Sequence, residues 1–349
     1  MTKLLIIGGT RFLGYFITQT ALERGHEVTL FNRGKSAPNA FPQVEHIRGD
    51  RDENIDLLAG RQWDSVVDTS GYFPRIVSKS AQLLAGSVPH YVFVSSISAY
   101  AEPLTDRADE DAPLQTLDDP TIEEIRGDTY GGLKALCEQA VQAAYPQAAL
   151  VVRPTLIVGP RDPTDRFSYW VRRIAQGGEV LAPVGPDRPV QLIDARDLAA
   201  WIVSMAESQT TGVFNGAGPA TPLTMGDFLE TGRKALDSDA RFTWVSERFL
   251  LEREVAPWSE LPVWVPEEII AIHGVRNDRA LAAGLRIRPL EDTVRATHEW
   301  MLENPERSQP QGTLAPEREQ ELLREWHASG EVGSGAEMDH GRQETPVDL

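Results

Sequence analysis

Tyr130 and Lys134 are the two residues whose types and spacing point most directly to chemistry. On a helix, residues four apart lie on the same face, so a phenol and an ammonium would be neighbours. A free tyrosine has a pKa of about 10, too high for an efficient base at neutral pH, and a nearby ammonium lowers it. The pair predicts proton transfer by Tyr130, tuned by Lys134. An ordinary surface pair is the alternative, since this spacing recurs on many helices.

Gly8 and Gly14 flank a second candidate site, a turn that follows directly on the first apolar run. Gly8 allows a tight bend, and Gly14 allows the next helix to pack closely, so that its first N–H groups face a pyrophosphate. Arg11 stands where a middle glycine is usual and brings a cation to the phosphates. The other predicted cofactor contacts in this turn are Thr10, Phe12 and Leu13. A turn without a ligand is the alternative.

The end of the second apolar run selects between two nicotinamide cofactors. A carboxylate there would bind the ribose 2′-hydroxyl of NAD, whereas arginine accommodates the 2′-phosphate of NADP. This chain has Asn32 and Arg33 at that point and no acid, which favours NADP over NAD. The ends of the third and fourth runs supply further predicted cofactor contacts, which are Gly49, Asp50, Thr69, Ser70 and Gly71.

Elements of regular length are predicted around these residues. Short apolar runs alternate with helix-length amphipathic segments, which predicts an α/β fold with a doubly wound parallel sheet covered on both faces. The predicted strands are 3–7, 28–31, 44–47, 65–68, 91–94 and 149–153, and the clearest helices are 12–24 and 130–144. In such sheets ligands bind at the carboxyl ends of the strands, where every residue singled out above lies.

The second half of the chain is less regular. After Pro154 proline and glycine interrupt the pattern, which predicts a smaller C-terminal substrate-binding lobe. We expect a nucleotide-binding domain over 1–155 and a lobe over 156–305 with segments that return to the core. A polar extension over 306–349 would carry one charged helix and end in a disordered tail.

Composition excludes several classes of protein. The 349 residues carry a net charge of −18, which disfavours binding to a phosphate backbone. Cys137 is the single cysteine, so no intrachain disulfide forms, and its apolar surroundings predict a buried thiol. The histidines show no metal-ligand spacing, so no metal is expected. No apolar run reaches the roughly 20 residues that span a bilayer, and we expect no membrane partner and a cytoplasmic protein.

Over about residues 3–305 the order of motifs resembles the extended short-chain dehydrogenases/reductases, in the NAD(P)-dependent epimerase/dehydratase branch. The resemblance rests on the Tyr-x-x-x-Lys pair, Ser95-Ser96, Arg153-Pro154 and the segments 158–160, 194–199 and 212–215. It implies a Rossmann sheet, with Ser96 as the catalytic serine that orients the substrate oxygen. The implied cofactor contacts are Ser95, Pro154 and Thr155, and the expected substrate contacts are Tyr72, Ser98 and Arg166.

The resemblance implies hydride transfer between a nicotinamide and a secondary alcohol or ketone of a small molecule. Ile97 and Ser98 disfavour a dehydratase, which usually has acids beside the serine. Val190 stands where nucleotide-sugar epimerases carry an arginine, so a nucleotide-sugar substrate is disfavoured. Homodimers are common in the family, which makes a homodimer one candidate, and the sequence leaves the oligomeric state open.

The glycine turn Gly-Gly-Thr-Arg-Phe-Leu-Gly also resembles a subgroup that includes chloroplast stem-loop RNA-binding proteins. The alternative function is therefore a non-catalytic cofactor-binding or RNA-binding protein on the same fold. Intact Ser96, Tyr130 and Lys134 oppose the loss of catalysis, and the acidic charge opposes binding to nucleic acid.

Overall fold

A computed structural model describes residues 1–105, 107–307 and 310–331 and divides the chain into two compact units. The first unit consists of Met1–Pro163, Gln191–Pro222 and Glu268–Pro289. The second consists of Thr164–Val190, Leu223–Glu267 and the described residues from Leu290 onward.

The strands are β1 Lys3–Ile7, β2 Glu27–Asn32, β3 Glu45–Arg48, β4 Ser65–Asp68, β5 Tyr91–Val94, β6 Ala149–Pro154, β7 Leu156–Val158, β8 Glu179–Pro183, β9 Pro189–Val190, β10 Leu192–Asp194, β11 Gly212–Gly216, β12 Leu223–Thr224 and β13 Arg241–Val245. The helices are α1 Phe12–Glu23, α2 Pro74–Leu84, α3 Tyr130–Ala144, α4 Ser168–Ala175, α5 Ala195–Glu207, α6 Met225–Ala235, α7 Glu247–Glu252, α8 Asp278–Ala282, α9 Leu290–Glu303 and α10 Pro316–Ser329.

The first unit contains a seven-stranded sheet in the order β3-β2-β1-β4-β5-β6-β11, in which every neighbouring pair is parallel. The order reverses direction between β1 and β4, which is where such sheets bind dinucleotides. The predicted doubly wound Rossmann sheet is confirmed. Because all strands run the same way, their carboxyl ends share one edge of the sheet.

Two apolar layers cover the sheet because successive strand residues point to opposite faces. Leu4 and Ile6 of β1 belong to one core cluster, which includes residues of α1 and α5. Leu5 and Ile7 belong to the other, which includes residues of α2 and α3. Cys137 of α3 is fully buried in this second cluster, as predicted, and burial raises the pKa of its thiol to about 12.

The predicted helices end where the sequence carries stop signals. Helix α1 ends at Glu23, and Gly25 follows with a φ of 76°, a conformation that glycine adopts without strain. Helix α3 covers the predicted span, with Tyr130 as its first residue and Thr129 as its N-cap residue. The phenol and the ammonium therefore lie on the first two turns of one helix.

The chain returns to the first unit twice after leaving it. Strand β11 pairs with β6 over five residues, and β10 pairs in parallel with β7 in a separate two-stranded sheet. Ala280 of α8 joins the core shared by α1 and α5. Residues 191–222 and 268–289 thus belong with the seven-stranded sheet, as do 156–163.

The second unit has its own strands and helices. Strand β13 pairs in parallel with β8, and β12 pairs antiparallel with β9. Helix α10 is built into this unit, since its Trp326 ring lies 4.9 Å from that of Phe249 and its Glu319 accepts a hydrogen bond from Leu181 N. Most of the predicted tail, residues 332–349, lies outside the described residues.

Candidate active site

The glycine turn after β1 has the close packing that a phosphate cradle needs. Gly8 adopts a φ of 106°, and a Cβ atom there would collide with the Thr69 hydroxyl after β4. A Cβ atom on Gly14 would lie 2.9 Å from the backbone nitrogen of Gly9. The Thr18 hydroxyl lies within hydrogen-bond distance of two carbonyl oxygens, 2.8 Å from that of Gly9 and 2.9 Å from that of Gly14, and so links the turn to helix α1.

The start of α1 leaves its first N–H groups at this turn. Arg11 is the N-cap residue, is exposed and makes no side-chain cap hydrogen bond. Leu13 is buried in the apolar core, so this residue offers the turn only its backbone. Thr10 and Phe12 are half-buried beside it. Side chains larger than hydrogen are excluded at Gly8 and Gly14, because Thr69 packs against the first and the backbone of Gly9 against the second.

Asn32, at the end of β2, is bound to protein atoms on every side. Its amide nitrogen donates to Gly8 O at 2.8 Å, and its Oδ1 accepts from Gly34 N at 2.9 Å and from Arg48 Nη1 at 2.8 Å. Asn32 thus ties the glycine turn to the loop after β2. Arg33 is 61% exposed, and its guanidinium lies 3.9 Å from the carboxylate of Asp50.

The ends of β3 and β4 are also tightly built. Gly49 packs against the Phe31 ring, to which a Cβ atom would approach within 2.9 Å. The Thr69 hydroxyl donates to Ile7 O at 3.0 Å, and Ser70 N donates to the carboxylate of Asp68 at 3.1 Å. Hydrogen bonds thus join the segment that follows β4 to the end of β1 at the carboxyl edge of the sheet.

Lys134 lies deep in this edge, with 3% of its surface exposed. Its Nζ donates to Gly71 O at 2.8 Å, after β4, and to Val94 O at 2.7 Å, at the end of β5. The ammonium also lies 4.4 Å from the centroid of the Phe93 ring. Burial disfavours the charged form and lowers the pKa of Lys134 to about 8. Two of its three N–H groups donate to carbonyl oxygens, and the third has no acceptor among the residues that the structure describes.

Ser96 follows β5 and begins a short turn of helix. Its Oγ accepts a hydrogen bond from Ser98 N at 3.1 Å and donates to Ser98 Oγ, also at 3.1 Å. Gly131 packs on this turn, because any Cβ atom there would overlap Ser98 O. The close approach places the start of α3, with Tyr130, directly beside the segment that carries Ser96.

Glu138 is a functional candidate that sequence analysis missed. It lies one turn after Lys134, is fully buried, accepts a hydrogen bond from the Ser95 hydroxyl, and pairs with Arg153 at 2.7 Å. The ion pair ties α3 to the ends of β5 and β6. A glutamate four residues after the predicted catalytic lysine, on the same face of the helix, was the available signal.

Three other predicted residues have distinct settings. Thr155 is buried after β6, and its hydroxyl has no hydrogen-bond partner among the residues the structure describes. A buried polar group is normally satisfied, so this hydroxyl is suited to a ligand. Tyr72 is exposed, with its ring centroid 5.5 Å from Lys134 Nζ. Arg166 belongs to the second unit, where its guanidinium lies 5.2 Å from the Trp258 ring.

Across 1–105, 107–307 and 310–331, no three His, Cys, Asp or Glu side chains gather in a way that can hold a metal ion. Over those ranges no helix combines the length and the apolar character needed to cross a bilayer.

Comparison with known proteins places this geometry in a family. Residues 4–216 match the model of the NAD dependent epimerase/dehydratase family. The chain is 27% identical over 236 residues to the chloroplast stem-loop binding protein of 41 kDa b from Arabidopsis thaliana, which covers 62% of this chain. The match spans 58% of the plant protein, less than two thirds of its length.

Two solved structures share the fold at low sequence identity. The Bordetella bronchiseptica enzyme WbmH in complex with NAD+ has a TM-score of 0.65 and 16% identity, covering 87% of this chain and 99% of that one. The human epimerase family protein SDR39U1 with NADPH has a TM-score of 0.57 and 22% identity, covering 85% and 99%.

Proposed function

The chain belongs to the NAD dependent epimerase/dehydratase family, and from this membership we propose that it is an NADP-dependent oxidoreductase or epimerase. Its substrate would be a small molecule with a secondary alcohol or ketone. The observation that carries the proposal is the position of Lys134, whose ammonium is held by Gly71 O and Val94 O one helical turn from Tyr130.

The residues present fit a nicotinamide dinucleotide. Gly8 and Gly14 let the turn after β1 pack tightly against Thr69 and Gly9 at the N-terminus of α1, where phosphates are favoured. Thr155 offers a buried hydroxyl without a partner in the part of the chain that the structure describes. These residues, with the third N–H of Lys134, would hold the cofactor along the carboxyl edge. When bound, the nicotinamide supplies hydride to a carbonyl carbon or takes it from an alcohol.

Tyr130 moves the proton that accompanies hydride transfer. In reduction its phenol donates the proton to the carbonyl oxygen as the oxygen gains electrons, and the phenolate regains a proton from solvent. In oxidation the phenolate takes the proton from the alcohol. The Lys134 ammonium stabilises the phenolate by Coulomb attraction, which is strong in a buried site. Ser96, oriented by Ser98, would hold the substrate oxygen in place.

Epimerisation starts from the same hydride abstraction, so these residues serve a reductase and an epimerase alike. The two differ in whether the oxidised intermediate leaves the site or is reduced again on its other face. The test is to follow nicotinamide absorbance with NADP(H) and NAD(H) against alcohols, ketones and nucleotide sugars. Net reduction of the cofactor with release of a ketone identifies a dehydrogenase, and a turnover with no net change in the cofactor identifies an epimerase.

Tyr130→Phe tests the assigned proton donor in that assay. We expect turnover to be abolished while the cofactor dissociation constant changes by less than about twofold, because only the reacting hydroxyl is removed. Tyr145→Phe is the matched control, since its buried hydroxyl, just after the other end of α3, has no partner among the described residues. Unchanged turnover in Tyr130→Phe would reject the role.

A second function is favoured by the likeness to the plant stem-loop binding protein. A non-catalytic RNA-binding protein on the same fold would bind an RNA stem-loop with an affinity that falls steeply with salt concentration. The net charge of −18 opposes this function. Tight, salt-sensitive RNA binding together with inactivity on every alcohol and ketone tested would favour it over the oxidoreductase.

A further inference from the structure

We infer that Arg48, at the end of β3, is the fixed cation that recognises the 2′-phosphate of the cofactor and sets the preference for NADP. The inference rests on the proposed function, because it assigns a residue to the same cofactor site. The sequence pattern favoured Arg33 for this role. Arg48 becomes a candidate because β2 pairs with β3 in a register that places Asn32 opposite Arg48.

Asn32 is unable to accept the ribose hydrogen bonds that an acid accepts at this position in NAD-binding proteins. A carboxylate at the end of β2 would accept hydrogen bonds from the ribose hydroxyl. The Asn32 carbonyl oxygen has two lone pairs, and both are used, by Gly34 N and by Arg48 Nη1. Its amide nitrogen already donates to Gly8 O. The end of β2 therefore lacks an acceptor for the 2′-hydroxyl of NAD at this residue.

Arg48 is held rigidly, yet it keeps both its charge and several donors. Its Nη1 donates to Asn32 Oδ1 and its Nη2 to Pro38 O, each at 2.8 Å. Both partners are neutral oxygens, and no carboxylate in the described part of the chain lies within ion-pair distance of it. A guanidinium has five N–H groups, so three remain for an anion. Fixing the fork in advance reduces the entropy lost on binding a phosphate.

The loop after β2 is shaped around this guanidinium. Gly34 has a φ of 70°, and a Cβ atom there would lie 2.6 Å from Arg48 Nη1. The loop thus wraps over Arg48 and brings the exposed Arg33 into the same cluster. Arg33 is held by fewer contacts, since its side chain is 61% exposed and the carboxylate it pairs with in the described residues, that of Asp50, lies 3.9 Å away. The geometry assigns the fixed contact to Arg48 and an exposed second contact to Arg33.

The test compares the binding of NADPH and NADH to the full chain and to Arg48→Gln, by calorimetric titration. We expect the substitution to weaken NADPH by about ten- to a hundredfold, the worth of a charge-assisted hydrogen bond, and to leave NADH within about twofold. Adenosine 2′,5′-bisphosphate and adenosine 5′-phosphate should show the same contrast without the nicotinamide half. Arg61→Gln, which removes a charge paired with Glu45 at the start of β3, is the matched control.

Arg48→Lys is the second variant, because it keeps the charge but not the fork that binds Asn32 and Pro38 together. This variant should retain part of the preference for NADPH over NADH. A variant that fails to fold would instead lose the binding of both cofactors. Equal weakening of both cofactors in Arg48→Gln, or no weakening of NADPH, would overturn the inference and leave the oxidoreductase intact. Tighter binding of NADH than NADPH to the unmodified chain would do the same. Binding of neither cofactor to the unmodified chain would overturn the proposed function itself.

Discussion

Gly131 lies so close to the carbonyl oxygen of Ser98 that no side chain fits between α3 and the turn that carries Ser96. The contact is between two backbones, and a backbone does not move aside as a flexible side chain does. The close approach of Tyr130, the predicted proton donor, to the segment of Ser96, the predicted oxygen-orienting serine, therefore depends on Gly131 having no side chain.

Gly131→Ala is expected to separate these two groups. The added methyl group has to displace α3 or the turn, at a cost of about 1–3 kcal/mol in unfolding free energy, and turnover should fall by at least about tenfold. Gly132→Ala is the control, because the atoms nearest its added Cβ belong to the Leu117 side chain and not to a backbone. Urea unfolding and steady-state kinetics measure the two effects. Equal losses in both variants would show that the Ser98 contact has no special role.

Cofactor affinity is expected to fall as pH rises through about 8, the pKa of Lys134. Below that pH the ammonium has three N–H groups, two on carbonyl oxygens and one for the cofactor. Above it the neutral amine has two, both already used, so the ligand loses its donor and the stabilising charge. Fluorescence titration with NADPH between about pH 6 and pH 10 should show the decline. Lys134→Met should bind weakly at every pH, and a pH-independent affinity in the unmodified chain would contradict the assignment.

Glu138→Gln is expected to destabilise the first unit severely. The substitution keeps the shape but leaves the Arg153 guanidinium buried without its carboxylate, which costs about 3–5 kcal/mol. Adding Arg153→Met removes the stranded charge and should restore part of the loss. Denaturant unfolding of the single and double variants measures the pair. A loss below about 1 kcal/mol in the single variant would mean that the pair is solvated.

Thr155→Val distinguishes a ligand-binding hydroxyl from a structural one. Because this hydroxyl lacks a partner in the described residues, its removal should leave the unfolding free energy unchanged or raise it by about 1 kcal/mol. Turnover or cofactor affinity should nevertheless fall by about tenfold. Thr18→Val is the contrasting control, because its hydroxyl bonds Gly9 O and Gly14 O and its loss should lower stability. Full activity in Thr155→Val would remove Thr155 from the site.

The sheet was predictable from the sequence because five of its first six strands, all except β3, are short and mainly apolar runs. The start of α3 at Tyr130 and the stop of α1 before Gly25 follow from local preferences alone. Helix α10 shows the limit of such signals, because its charged sequence predicted a solvated extension. In the structure Leu322, Leu323 and Trp326 are buried on one side of it.

Contacts between distant segments were not predictable. Glu138 meets Ser95 and Arg153 only after α3, β5 and β6 have assembled, and nothing in the local pattern of any of these segments reveals the others. Arg48 reaches Asn32 because β2 and β3 pair in one register. For the same reason the partnership of β11 with β6, 58 or more residues away along the chain, is invisible to periodicity.

The buried Glu138–Arg153 pair also bears on how the first unit fluctuates. Separating an ion pair that is shielded from water leaves two unpaired charges in an apolar environment, so local opening of this region is costly. We therefore expect the amide hydrogens of the neighbouring strand ends to exchange only through global unfolding. We also expect these strand ends to stay rigid on the timescale of turnover. Changes in substrate range would then arise in the surface loops and leave the proposed proton-transfer residues in place.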